Sequence, residues 1–472
     1  MNTNHWLALS LAALLWTDAR ADQKPLTAPR PTPVTRPEMK KLLEDMKQRT
    51  PRIPLPPLTE EEKKAAEPDQ LSRGYEGRLR SLYLPGSDLR GYLYFAGSPA
   101  RRPDSPPPRF TIEPDPTVTL DYAFKTKLFW IASRANNCQY CLGHQESKLL
   151  AVGMSDDDLA SLDTDWSVFP EAEQAAFAFA RRLTLEPQNL TDADIDRCRK
   201  HYTDLQILEM ALSVGGNNAI NRWKEGTGVP QSSGGGNFGG RSGAAGEEHS
   251  YLTPTSDKFV LTVSKVAPVK TPAPGKVEVP TVLDCPALES PAKLEQALAA
   301  AAKRKPRLPV TDEATARAVL KEIAPSGPIP GWMRLLANYP GAGLRTVTGF
   351  VATAKSSDLS PLLRAQMDWV IARQDRAWYA LGEARKALKA LGQTDAQIAA
   401  LDGDQQGIPE KDRALLTFAR NLAASPAVLT DAQAAEAVRL AGPRDVTQTV
   451  HYTAMRALFD RFTEAAGLPI DP

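Results

Sequence analysis

The sequence predicts an all-α protein of two homologous helical-bundle units that pack against each other as an internal pseudo-dimer. Three observations carry that expectation. Apolar residues recur at three- and four-residue intervals over long stretches, as in FPEAEQAAFAFARRL from Phe169 and TDEATARAVLKEI from Thr311. Nothing resembles the strand and crossover pattern of a parallel sheet. The segment from Trp130 to Asp163 also aligns without a gap on that from Trp369 to Asp402, a shift of 239 positions (369 − 130). At the same shift Phe179-Ala180-Arg181 meets Phe418-Ala419-Arg420, Leu190-Thr191-Asp192 meets Leu429-Thr430-Asp431, and Gly228 and Pro230 meet Gly467 and Pro469.

The elements follow in order. A chain of 472 residues exceeds one ordinary core. Residues 1–21, MNTNHWLALSLAALLWTDARA, have the layout of a secretory signal peptide cleaved after Ala21, so the protein is expected outside the cytoplasm, periplasmic or extracellular. Its apolar run is too short for a spanning helix, and no later stretch is long and apolar enough, so no stable membrane span is expected after cleavage. Residues 22–71 are rich in proline and charge and read as a tether. Residues 72–230 form the first unit. Within it the periodicity places helices over Phe124 to Ala135 and Cys138 to Val152, the latter capped by Asn137. Ser155 and Thr191 start further helices, each with an aspartate three residues on, and a last helix is interrupted near Gly215-Gly216. Residues 231–290 hold a Gly/Ser linker and an extended segment whose Val, Leu and Thr alternate; residues 291–472 form the second unit.

Charge is balanced, 57 basic against 56 acidic residues without a basic run, which excludes an electrostatic nucleic-acid binder. Four cysteines are too few to build a scaffold of this size from disulfides.

The two units separate scaffold from chemistry. Trp130/Trp369, Arg134/Arg373, Tyr140/Tyr379, Leu142/Leu381, Gly143/Gly382 and Leu149/Leu388 are shared, but Cys138 meets Ala377, Cys141 meets Ala380 and His144 meets Glu383. The cysteines are therefore not required to build the unit.

What Cys138, Cys141 and His144 do has several readings. Covalent haem attachment needs a histidine directly after the second cysteine, where Leu142 stands. Zinc could draw on these three with Cys198 and His201. A disulfide between positions three apart adds little stability, because so short a loop removes little chain entropy. Two buried, inert thiols are the plain alternative. A redox couple explains more of the stretch: thiols in the first turn of a helix favour the thiolate, the second thiol resolves an intermediate, and His144, a turn beyond Cys141, handles a proton.

An apolar helix followed by Asn136-Asn137-Cys138-Gln139-Tyr140-Cys141 and a nearby histidine resembles the carboxymuconolactone decarboxylase and alkylhydroperoxidase-D-like superfamily, most closely over Leu128 to Val152. That resemblance implies an all-α, often oligomeric protein, so a homo-oligomer is expected. It also implies peroxidase chemistry in which Cys141 attacks a hydroperoxide or disulfide substrate, Cys138 resolves it and an external thiol reductant closes the cycle. The family's histidine stands four residues after the second cysteine, at Gln145 here, and its upstream glutamate falls on Thr126. Glu146, Gln145 or Glu383 are the candidates for the proton relay. No cofactor and no metal are called for.

Two other functions fit the same residues: a non-catalytic binding or assembly module that keeps the fold, and a zinc-binding domain. Cys198 and Cys285 read as buried thiols, with a bridge between them as the alternative. His201, His249 and His451 read as solvated or satisfied side chains, and Trp130 and Trp369 as packing anchors.

Overall fold

The computed structural model describes residues 27–33, 35–61, 74–86, 94–95, 115–231, 251–252, 287–324 and 326–472. The expected signal peptide, Cys285, His249 and the stretch 258–284 expected to be extended lie outside the described residues. Within them the protein is all-α, with no strand.

The first half holds α1 (Arg36–Asp45), α2 (Gly74–Tyr83), α3 (Tyr122–Ala135), α4 (Gln139–Ala151), α5 (Asp156–Thr164), α6 (Glu171–Leu185), α7 (Asp192–Arg199) and α8 (Asp204–Thr227). The second holds α9 (Pro291–Ala301), α10 (Glu313–Leu320), α11 (Gly331–Leu336), α12 (Ala342–Ser356), α13 (Pro361–Asp375), α14 (Trp378–Ala390), α15 (Asp395–Ala400), α16 (Glu410–Ala423) and α17 (Asp431–Ala466).

Most starts are set locally. Asp121 accepts from Phe124 N at the head of α3, and Ser155, Thr191, Thr203, Thr394 and Thr430 each form a capping box with the residue three positions on. Both halves end in a left-handed glycine, Gly228 after α8 and Gly467 after α17. The glycine pair near the middle of α8 does not interrupt it, contrary to the sequence expectation. At Gly215 α17 comes close: a Cβ there would lie 2.8 Å from Leu458 Cδ1 and 3.1 Å from its carbonyl oxygen. The break falls in α17 instead, at Gly442 (φ 81°) and Pro443.

Contacts recur at the offset of 239. Trp130 Nε1 donates to Asp163 Oδ1 at 3.0 Å and Trp369 Nε1 to Asp402 Oδ1 at 2.8 Å, with Arg134 and Arg373 on the same carboxylates at 3.2 and 2.8 Å. Across the seam between α8 and α17 the contacts are reciprocal. Arg222 donates to Ala423 O at 2.8 Å, and Arg461, its counterpart, donates to Thr184 O, the counterpart of Ala423, at 3.2 Å. Reciprocal contacts of this kind characterise two-fold interfaces.

Residues 35–61 correct the expectation of a tether. The proline-rich flanks enclose an amphipathic helix, α1, whose Thr35 and Glu38 form a capping box. Met39, Leu43, Met46 and Ile53 are buried in the core, and Arg52 N donates to Thr227 O at 3.0 Å. The second half repeats this arrangement at an offset of 255 (291 − 36): α9 takes the place of α1, and Pro306-Arg307-Leu308-Pro309 that of Pro51-Arg52-Ile53-Pro54. Arg307 N donates to Ala466 O at 2.7 Å. Arg52 reaches across to Asp431 at 2.7 Å and Arg307 back to Asp192 at 3.0 Å.

Candidate functional site

The chain turns from α3 into α4 through Asn137, in the left-handed region at φ 53°, which asparagine tolerates better than most residues. The N-cap of α4 is therefore Cys138 and not Asn137, a one-residue correction that leaves Cys141 in the first turn. Cys138 N donates to Ser133 O at 2.9 Å. The two sulfurs lie at disulfide distance, with 5.4 Å between Cα atoms.

The second half builds the same turn without them. Arg376 takes φ 54°, Ala377 N donates to Ala372 O at 2.9 Å, and α14 starts and stops 239 positions after α4. This part of the backbone forms equally well on Ala377 and Ala380.

Both cysteines are buried. Their neighbours are Met46 beyond α1, Phe129 of α3, Tyr140 of α4 and Val229 after α8, with Tyr75 and Ile220 packed against them. Residues 30–33 cross the start of α4: Gln139 Nε2 donates to Pro31 O at 2.9 Å, Asn137 Nδ2 to Arg30 O at 3.2 Å and Arg134 Nη2 to Pro33 O at 3.2 Å. Gln231 closes the opposite flank, its amide donating to Tyr140 O at 2.9 Å. That contact needs Gly143, because a Cβ there would stand 2.5 Å from Gln231 Nε2 and 2.8 Å from Tyr251 Oη.

His144 is buried and stacked on Tyr140, ring centroids 4.4 Å apart, with Nδ1 3.3 Å from Tyr140 O. Burial, reinforced by the ammonium groups of Lys224 and Lys148, pushes its pKa down to about 3, so the ring is neutral at pH 7. The unfolded chain takes up a proton near pH 6.5 and the folded chain does not until about 3, so stability falls as pH drops through that window. A His144→Phe variant is expected to lose that part of the acid sensitivity. Urea unfolding at pH 7 and pH 4.5 measures it, and an unchanged difference between the two would refute it.

The relay candidates are placed apart. Glu146 is buried between Arg36, at 2.9 Å, and Lys40, both on α1. Gln145 is buried, with no hydrogen-bond partner at Oε1. Thr126, at the position of the family's glutamate, is buried and donates to Tyr122 O at 2.8 Å. Glu383 is counterpart to His144 in the second half and lies 3.0 Å from Lys386.

The other singled-out residues have plain surroundings. Cys198 is buried 3.8 Å from Ala175 O, and burial raises its pKa to about 12. His201 is exposed, and His451 Nε2 is 3.1 Å from Thr353 Oγ1. Among the described residues no group of three or more His, Cys, Asp or Glu side chains is placed to hold a metal ion.

Sequence reasoning found a short helix-like patch near Met39 to Met46 but missed its docking in the core as α1 (Arg36–Asp45), and it missed Gln231, Tyr251 and the ion pair of Lys224 with Glu76. For α1 a signal existed, the repeat of Pro-Arg-Ile-Pro as Pro-Arg-Leu-Pro. For the others none did, since their partners are remote in sequence. A scan against protein-family models returns no match for the chain, and a search of the curated proteins returns none.

Proposed function

We propose that the protein is a thiol-dependent oxidoreductase that reduces hydroperoxides through Cys138 and Cys141, and that its halves are two copies of one unit, of which only the first is chemically equipped. One observation carries the reading. The paired cysteines sit at a helix start whose backbone the second half reproduces with alanines, so chemistry accounts for them better than folding does.

In the proposed cycle Cys141 ionises, helped by the unpaired N–H groups of the first turn of α4. Its thiolate attacks the terminal peroxide oxygen. The S–O bond forms, the O–O bond breaks, and the alkoxide leaves as an alcohol with the proton that Cys141 gave up. A neutral, weakly basic His144 suits passing that proton on and not storing it. The Cys138 thiol then attacks the Cys141 sulfenic acid, releasing water and forming the disulfide, and an external dithiol returns both cysteines to thiols as it is itself oxidised. Export through the N-terminal segment belongs to the same reading; no helix among the described residues is long and apolar enough to cross a membrane.

A second reading has an observation of its own. Both cysteines are enclosed, at 0% and 2% exposure, as suits a binding or assembly module whose cysteines are inert. Mass analysis of the reduced protein before and after one equivalent of an organic hydroperoxide separates the two. Rapid loss of two hydrogens, mapped to Cys138 and Cys141 and absent in Cys141→Ser, is the expected result. Thiols no more reactive than free cysteine would leave the inert module.

A further inference from the structure

Among the described residues on one flank of the dithiol, two cations meet on a single carboxylate. Lys224 Nζ lies 4.2 Å from the centroid of the Tyr140 ring on which His144 stacks. Lys224 pairs with Glu76 at 2.5 Å, and Arg80 reaches the same carboxylate at 3.8 Å. Two cations thus share one carboxylate beside a neutral imidazole. Lys148, one turn beyond His144 on α4, adds an ammonium to the same field; burial, together with Lys224, lowers its pKa to about 8.

This flank is also less closed than the one under α1. The side chains of Lys224, Glu76 and Arg80 are 14%, 22% and 28% exposed, against 0%, 4% and 6% for Arg36, Glu146 and Lys40. The two lysines accompany the cysteines, too. At the offset of 239, Lys148 meets Ala387 and Lys224 meets Thr463, just as Cys138 and Cys141 meet alanines.

We infer that Lys224, Arg80 and Lys148, set about the Tyr140 and His144 rings, form a substrate-selecting mouth to the dithiol, and that the substrate it takes is a hydroperoxide bearing a carboxylate. The substrate class rests on the peroxidase reading above. Partly desolvated cations at the rim of a low-dielectric site concentrate anions there and speed their arrival, and the N-terminus of α4 adds to the same field.

Labelling of the full-length, reduced protein tests the mouth without using peroxide. Iodoacetate and iodoacetamide differ in charge and little in size, and peptide mass mapping reads the rate of each at Cys141. At low salt the ratio of the iodoacetate to the iodoacetamide rate is expected to be about tenfold above that of free cysteine. It should decline as salt is added, and fall in Arg80→Gln, which removes the second cation from Glu76, leaves Lys224 paired with that carboxylate and leaves Lys148 unchanged. A ratio at or below that of free cysteine would overturn the inference, as would failure of both reagents to label Cys141. The two proposals can fail separately. A charge-selective Cys141 that leaves hydroperoxides intact would refute the peroxidase, whereas a peroxidase without charge preference would refute the mouth.

Discussion

Replacing Glu146 by glutamine is expected to undock α1 and to raise the rate at which the reduced dithiol is alkylated by about a hundredfold. Glu146 neutralises two cations of α1 at once: Lys40, and Arg36, which is fully buried and also reaches Asp156 at 2.6 Å. Removing the charge that a buried ion-pair network shares costs about 3–5 kcal/mol. Beyond these ion pairs α1 is a single helix of ten residues with Met39 and Leu43 in the core, so the loss should appear as local opening before global unfolding. At about 1.4 kcal/mol per tenfold change, a loss of about 3 kcal/mol opens this face of the dithiol about a hundredfold more often. That route bypasses Lys148 and Lys224, so the preference for iodoacetate should shrink as the rate rises. Hydrogen exchange over 36–45 and iodoacetamide labelling are the measurements. Faster exchange without faster labelling would show that α1 does not cover the thiols.

The second large effect is expected at the seam, where Arg461 and Arg222 occupy equivalent positions with unequal partners. Arg461 holds both oxygens of Asp375 and donates to Thr184 O, while Asp460 stands beside it fully buried. In the first half the counterparts of Asp375 and Asp460 are the neutral Asn136 and Asn221, which hydrogen-bond each other at 2.8 Å. Arg461→Met should therefore cost about 3–5 kcal/mol. Arg222→Met should cost less, about 1–3 kcal/mol for carbonyls left without a donor, because it strands no carboxylate. The difference should depend on pH. Burial, reinforced by Asp375, raises the pKa of Asp460 well above the ordinary carboxylate value, so the folded state holds its proton where the unfolded state does not. Stability carried by that proton is lost as pH rises; Arg461 opposes the rise, so without it Asp460 holds its proton more firmly still, and the Arg461→Met variant should recover part of its deficit as pH falls from 7.5 to 5. Urea unfolding of both variants at the two pH values decides it; equal losses would refute the asymmetry.

What could be read from the sequence was what neighbours in the chain determine. The periodicity placed helices over Phe124 to Ala135 and Cys138 to Val152, and the helices run Tyr122–Ala135 and Gln139–Ala151. Ser155 and Thr191 were legible as caps because a cap acts over three residues. Elements held by remote partners were not. The composition around α1 is that of a linker, and what makes this segment part of the core is contact with residues more than a hundred positions away, as between Arg36 and Glu146 and, past the helix, between Arg52 and Thr227. The glycines of α8 read locally as a break, yet packing against Leu458 holds the helix through them. At the site the cysteines and His144 were visible as a motif, whereas Lys224 and Glu76 meet across 148 positions of sequence.

The bond between Lys40 of α1 and Glu146 of α4 has a mirror in the second half with its signs exchanged: there α9 supplies the acid, Glu295, and α14 the base, Arg385. Two helices at corresponding places, each offering leucine or methionine to its berth at Met39 and Leu43 or at Leu294 and Leu298, could dock on the wrong ones while the chain folds. The inversion addresses each helix to its own berth. Misplaced, α1 would bring Lys40 against Arg385, and α9 would bring Glu295 against Glu146, so each error meets a like charge and each correct docking an opposite one.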